Sequence, residues 1–355
     1  MNRDMGFLQE IGKFGSKPVY YLPPGLPGLG HIAFGVIDRG TNVIQVRPTT
    51  ICPMNCAFCS VDAGLYSSYR GAEFIADPEV ILNSLNEVAS VKTAPIEVLI
   101  DTVGEGLTYP FIYDLVKSLK NHPKVKSVAL ETHGAPLSEK TINKLWDSGL
   151  DRVNLSFDTF SIEKARILYG LQSYNPLRVA KLAEYITKET SIDLHVTPLW
   201  LPKWNDEEIE KILEWALKIG AGKKWPPVTV QKFNEHKYGR NRLRIKPVSW
   251  AQFFNWLESL ERRTGIRVKW TMKEWGMVYD NKIPIVYKKG DIVGAETIAK
   301  GWLKRELLGI TLGRHKRLIT MIPGKNVNIK VGARYAVKII EDKDGIYVGK
   351  IIEKI

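Results

Sequence analysis

Two rhythms of apolar and polar residues run along the chain, and one gives way to the other near residue 266. From residue 78, segments with apolar residues three and four apart alternate with short β-branched runs. The helical windows are 78–91, 110–121, 138–149, 161–189 and 206–220. The strand-like runs are 96–101, 125–132, 151–158, 191–200 and 228–234. A further amphipathic helix is expected over 249–263. Ahead of this array, 31–38 and 42–50 flank a turn at Arg39–Asn42, the mark of a hairpin. Repeated strand–helix units build a parallel sheet with right-handed crossovers. Counting the strand of residues 42–50, six such strands fit an open doubly wound sheet or an incomplete barrel. In both, ligands sit at the carboxyl ends of the strands.

Beyond residue 266 the runs 267–272, 283–299, 315–324 and 326–355 are short and β-rich, with a hairpin turn at Asp342–Gly345. Small antiparallel barrels read this way. Residues 16–30 are rich in Pro and Gly. The expected organisation is an irregular lead-in over 1–30, a core over 31–285 and a small basic β-barrel over 286–355.

Composition narrows the class. The 355 residues are 44% hydrophobic, enough for a sizeable core, and no run reaches the ~18 apolar residues of a membrane span. The first fifteen residues carry charges of both signs and no apolar run, so a cytoplasmic protein is expected. The net charge of +13 favours polyanionic partners, although a lysine-rich thermophile surface has the same balance. The three cysteines all fall within eight residues. A secreted disulfide scaffold spreads an even number along the chain, so this tight odd cluster points to metal and to no disulfide partner.

The cluster reads Cys52-Pro-Met-Asn-Cys56-Ala-Phe-Cys59. Thiolates ligate iron and zinc alike, but zinc sites usually pair two C-x2-C halves and no second half exists here. Three ligands leave one metal position open. The motif resembles the cluster-binding signature of the radical SAM superfamily, where an aromatic residue also precedes the third cysteine, as Phe58 does here. The resemblance implies a partial (β/α)6 TIM-type barrel, here with a small all-β C-terminal domain. It implies a 4Fe–4S cluster on Cys52, Cys56 and Cys59, with S-adenosylmethionine (SAM) chelated by the free iron. Reductive cleavage of SAM would give a 5′-deoxyadenosyl radical that abstracts hydrogen from a substrate. A low-potential donor of ferredoxin or flavodoxin type would supply the electron.

Further elements are similar to SAM-contact positions of that family. Asp101-Thr-Val-Gly104-Glu105-Gly106 stands where relatives carry a glycine-rich loop against the SAM ammonium. Gly106 takes the place of the usual proline and Val103 that of the first glycine. Thr132, at the end of the third strand, is placed near SAM or substrate, and His133 on the substrate side. Ser156 and Asp158, on the fourth strand, are expected against the SAM ribose and carboxylate, with helix capping as the alternative for Asp158. Leu199 and Gln231 would flank the adenine by position only. With no cysteine after Cys59, auxiliary clusters and sulfur-donating chemistry are not expected.

The run Lys237-Tyr238-Gly-Arg240-Asn-Arg242-Leu-Arg244-Ile-Lys246 interleaves cations with aromatics, and Phe233, Tyr238 and Trp250 are candidates to stack a base. A solvated surface segment carries the same charges. Residues 291–355 hold 13 Lys and Arg against 7 Asp and Glu. Their final hairpin is similar to TRAM-type RNA-binding barrels. The expected function is radical modification of RNA, tRNA above all. The alternatives are radical modification of a protein, peptide, lipid or small anionic metabolite with a purely structural barrel, or a non-enzymatic cluster-bearing RNA-binding factor.

Overall fold

A computed structural model describes residues 8–324 and 329–355. Residues 1–7 of the lead-in and 326–328 of the last β-rich run lie outside the described residues. In chain order the first elements are β1 (Gln9–Phe14), β2 (Lys17–Leu22), β3 (Gly35–Asp38), β4 (Val43–Arg47), β5 (Glu73–Ala76), α1 (Pro78–Val91) and β6 (Ile96–Ile100). There follow α2 (Ile112–Lys120), β7 (Val125–Thr132), α3 (Glu139–Asp147), β8 (Arg152–Leu155), α4 (Ile162–Tyr169), α5 (Pro176–Glu189) and β9 (Asp193–Val196). Then come β10 (Leu199–Trp200), α6 (Asp206–Lys218), β11 (Gln231–Lys232) and α7 (Trp250–Thr264). The last strands are β12 (Ile292–Lys300), β13 (Leu307–Thr311), β14 (Leu318–Ile322), β15 (Arg334–Glu341) and β16 (Val348–Lys354).

The chain divides into two compact units, each made of separated segments. The first comprises residues 8–51, 65–104 and 279–355. In it β3 and β4 form the antiparallel hairpin, and β4 pairs in parallel with β6, Val46 opposite Ile100. The crossover helix α1 starts where expected because Asp77 caps the Glu79 amide and Pro78 occupies the first turn. The C-terminal strands close a five-stranded barrel in the order β12-β13-β14-β16-β15. Its inward side chains include Ile319, Met321, Tyr335, Val337 and Tyr347. Closure leaves no unpaired sheet edge.

The second unit comprises residues 52–64 and 105–278. Here β7, β8 and β9 pair in parallel, Leu130 opposite Val153 and Val153 opposite Leu194. β8 and β9 are buried along their whole length, as parallel strands covered on both faces are. Helix α7 carries a capping box between Ser249 and Gln252.

Five expectations need correction. The lead-in is not irregular: β1 and β2 form an antiparallel hairpin, and β2 pairs in parallel with β5. The helical window 161–189 is two helices, because Gly170 ends α4 at φ +58° and Pro176 starts α5. The sixth strand shrinks to the two residues of β11 paired with β10, plus an isolated bridge from Val228 to Val196. Pro198, Pro226 and Pro227 flank these positions and offer no ladder donor. Residues 267–271 form no regular element and residue 272 opens a turn, so no strand forms here. Conversely β13 was unforeseen, its Leu-Leu-Gly-Ile-Thr too short to stand out.

Candidate active site

The three cysteines lie on an irregular loop after β4, with Cys52 and Cys56 buried and Cys59 half-buried. Such a loop needs pins, because it contributes few ladder hydrogen bonds of its own. It closes on itself through Cys59 N–H to the Cys56 carbonyl at 3.3 Å and Asp62 N–H to the Cys59 carbonyl at 3.5 Å. The Ala63 amide donates to Cys59 Sγ at 3.2 Å. Burial pushes the Cys56 thiol up, the neighbouring Cys52 and Cys59 add to this, and Arg240 pulls the other way.

Two elements grip the loop from outside. The first is the C-terminal end of α4, whose last carbonyls have no partner within the helix. Leu168 accepts from Ala57 N–H at 2.7 Å and Tyr169 from Asn55 N–H at 2.9 Å. A Cβ on Gly170 would meet the Asn55 carbonyl at 2.4 Å, so this approach needs glycine. The second is the segment after β11. Arg240 N–H donates to the Cys59 carbonyl at 2.7 Å and Arg242 N–H to the Ala57 carbonyl at 2.9 Å. The Arg240 side chain is itself buried, with Nε 2.9 Å from Asp62 Oδ1 and Nη2 donating to the Ala63 carbonyl.

Arg240 is therefore a structural partner of the cysteine loop, where sequence placed it among substrate-facing cations. The clue was absent from its neighbourhood, since its partner Asp62 is 178 positions earlier. Phe233 is likewise buried, its ring unavailable for stacking. Lys237, Arg242, Arg244 and Lys246 remain on the segment, with Tyr238 exposed beside Lys237 at 5.0 Å. Trp250 and Phe254 are exposed on α7, and Lys232 Nζ lies 5.1 Å from the Trp250 ring.

Around the loop sits a buried polar and aromatic group. Glu105 follows Gly104, where a Cβ would meet the Ile51 carbonyl at 2.2 Å. The Glu105 carboxylate accepts from Thr132 Oγ1 at 2.7 Å, His133 N–H at 3.1 Å and Leu107 N–H at 3.2 Å. Burial raises its pKa against those three donors. Expected as an acceptor for an amine, this carboxylate spends most of its capacity joining the 105–108 turn to the end of β7. Gly106 packs against Leu130 beneath it. His133 stacks edge-on against Tyr169 at 5.3 Å, and burial lowers its pKa to about 4, so the ring is neutral near pH 7. Phe58 also meets Tyr169 edge-on, at 6.3 Å.

Asp158 is not a helix cap; Ser161 caps α4. Its Oδ1 accepts from Leu199 N–H at 2.7 Å, while Oδ2 is buried with no hydrogen-bond partner among the described residues. Burial raises this carboxyl to about 7, against the pull of the Leu199 amide and the Tyr169 hydroxyl. Ser156 Oγ lies 3.4 Å from Thr197 Oγ1. Gln231 is exposed. Sequence reasoning missed Tyr169 and Tyr174, whose rings meet at a tilt with centroids 4.4 Å apart, Tyr169 also meeting His133 edge-on.

In the first unit, Arg70 was also missed. It is fully buried, donates to the carbonyls of Thr50 and Val103, pairs with Glu73 at 2.9 Å and lies over Trp302 at 4.9 Å. It thereby fixes the residues leading into the cysteines and into Gly104.

The donor set fits an iron–sulfur cluster: three thiols on one pinned loop, an amide on one sulfur and a buried cation to balance thiolate charge. No group of three or more His, Cys, Asp or Glu among the described residues is placed to hold a metal ion. A cubane spreads its thiolates over separate iron corners, wider than the ligands of one ion. The unpartnered Asp158 Oδ2 suits a hydroxyl or ammonium donor. Among the described residues no helix is long and apolar enough to cross a membrane.

The family model described as the radical SAM superfamily matches residues 46–216. An uncharacterized protein of Methanocaldococcus jannaschii is 31% identical over 359 residues, covering 96% of this chain and 82% of that protein. A GTP 3′,8-cyclase of Clostridium perfringens strain SM101 is 25% identical over 205 residues, 54% of this chain. The chain spans only 60% of that cyclase's length. Among solved structures, SuiB of Streptococcus suis is 17% identical with a TM-score of 0.48, over 68% of this chain and 50% of that one.

Proposed function

The chain belongs to the radical SAM superfamily and is an enzyme of that family, and from that premise we propose that its substrate is RNA, tRNA above all. Its fold is the family's partial TIM-type barrel with a C-terminal five-stranded barrel, and its cofactors are a 4Fe–4S cluster and SAM. When bound, these supply a 5′-deoxyadenosyl radical for hydrogen abstraction, given an electron from a reductant.

Within this reading the side chains of the second unit have separate tasks. Cys52, Cys56 and Cys59 hold the cluster, on a loop that α4 and residues 240–242 keep in place. Asp158 Oδ2 would accept a hydrogen bond from SAM, with Ser156 just after β8 and Thr132 at the end of β7. His133 packs edge-on against Tyr169 and carries no charge near pH 7. Buried Tyr169, with half-buried Phe58 edge-on against it, excludes water from the side of the loop it covers.

One observation carries the RNA reading. Exposed Lys237 and Tyr238 belong to the segment whose Arg240 N–H bonds the Cys59 carbonyl, and half-buried Lys232 of β11 and exposed Trp250 of α7 flank that segment. A nucleotide stacked there is brought to the cluster loop, and cations beside aromatic faces are how single strands are held. Residues 31–285 are read as the radical-generating core and 286–355 as a TRAM-like barrel that adds basic surface. A smaller substrate, a free nucleotide, is the second reading, favoured by the similarity to a GTP 3′,8-cyclase.

The test is binding of bulk tRNA across a salt series, with nucleoside mass spectrometry after turnover. RNA as substrate predicts a steep salt slope that flattens in Lys237→Ala, and weaker binding in Trp250→Ala. Salt-independent or absent tRNA binding, with SAM consumed only when a nucleotide is added, would select the second reading.

A further inference from the structure

We propose that Arg240 sets the reduction potential of the cluster, acting through the Cys59 side of the loop. The inference rests on the reading of Cys52, Cys56 and Cys59 as cluster ligands. Arg240 is about nine-tenths buried, and a cation is rarely left so unless it faces negative charge. Its ion-pair partner among the described residues, Asp62, is 1% exposed. Its backbone N–H holds the carbonyl of the ligand residue Cys59, and its Nη2 holds Ala63, whose own amide bonds Cys59 Sγ. Nη1 is buried and has no hydrogen-bond partner among the described residues.

A guanidinium in this position has two relevant properties. It compensates the negative charge that thiolate-ligated iron carries, and its Nη1 is a buried donor with no partner among the described residues. Net charge and hydrogen bonds to sulfur are what tune iron–sulfur potentials. Reduction adds one negative charge, so a nearby buried cation favours the reduced state. Asp62 works in the opposite direction, and the pair holds the two effects in balance. Arg240 is thus a positioning and electrostatic residue, not one that grips substrate.

The experiment uses the full chain with its cluster reconstituted anaerobically, and reads the potential by EPR-monitored titration. Arg240→Gln keeps the backbone bond to Cys59 and removes the charge together with the guanidinium bond to Ala63, and Arg240→Lys, which keeps the charge, separates the two. It is expected to load the same iron and to lower the reduced-to-oxidised ratio at fixed ambient potential at least tenfold, about 59 mV for one electron. Asp62→Asn is expected to shift the ratio the other way, Arg240→Lys to stay near wild type, and the double variant Asp62→Asn/Arg240→Gln to return toward it. Unmoved potentials in both single variants overturn the proposal. If Arg240→Gln loads no cluster, Asp62→Asn decides: an upward shift supports the proposal and no shift overturns it. A wild-type chain that takes up no iron overturns the ligand reading instead.

Discussion

Replacing Gly170 by alanine tests how the cysteine loop is held, because a second glycine in the same unit provides the control. Gly170 has φ +58° and Gly220 has φ +83°, both in the left-handed region. An L-residue there costs about 1–2 kcal/mol, and the stiffer unfolded chain returns about 0.4–1 kcal/mol. At Gly220 nothing lies within 4 Å of an added Cβ, so the net cost of Gly220→Ala is about 1 kcal/mol. At Gly170 the added carbon would lie 2.4 Å from the Asn55 carbonyl oxygen and 2.9 Å from its carbon. Both are backbone atoms, so no side-chain rotation relieves the clash. Forcing such overpacking adds about 1–3 kcal/mol, for a total of about 2–4 kcal/mol. Asn55 precedes Cys56, so the relief must move a ligand. Equilibrium urea unfolding of the metal-free variants reads the first effect, and iron per chain after anaerobic reconstitution reads the second. Gly170→Ala should be the less stable by about 1–3 kcal/mol and should alone lose iron. Equal stabilities and equal iron contents would refute the idea that α4 pins the loop.

Other perturbations follow the same logic. Asp158 has its folded pKa raised to about 7, so the folded state holds a proton that the unfolded state releases above its ordinary value near 3.8. Wild-type stability from this group is therefore full at low pH and falls as pH rises from about 4 to 7. Asp158→Asn, compared by urea unfolding at pH 4 and pH 8, should gain on wild type by up to about 4 kcal/mol at the higher pH; a pH-independent difference contradicts the assignment. Arg70→Met should cost about 3 kcal/mol, the low end for breaking a buried ion pair because Lys17 Nζ still lies 3.5 Å from Glu73, and adding Glu73→Gln should recover part of the loss. A loss unchanged by the second substitution would assign the effect to the Thr50 and Val103 carbonyls instead.

Much of this was legible from local patterns. Helix α1 shows its cap, its proline and its apolar spacing in the sequence, and the structure places it over Pro78–Val91. The C-x3-C-x2-C spacing and the strand–helix array after it were equally plain. The break between α4 and α5 was visible at Gly170 and at Asn175-Pro176, but the helical periodicity on either side masked it. Other features could not be read locally. Whether Arg240 is solvated or buried depends on Asp62, far earlier in the chain, and nothing in its basic neighbourhood sets it apart from Arg242 or Arg244. Tyr169 looks like an ordinary apolar-face residue of α4 until the fold sets its ring against His133 and its carbonyl against Asn55. The β1–β2 hairpin was hidden by the prolines and glycines that follow it.

The central claim is that three thiolates on one pinned loop hold a cluster whose remaining iron accepts SAM. EPR of the dithionite-reduced, reconstituted chain, recorded with and without SAM, tests this most directly. The account predicts a one-cluster signal that changes on adding SAM and disappears in Cys56→Ala. A fully loaded cluster whose signal ignores SAM, or a chain that purifies with one zinc and no iron, would contradict it.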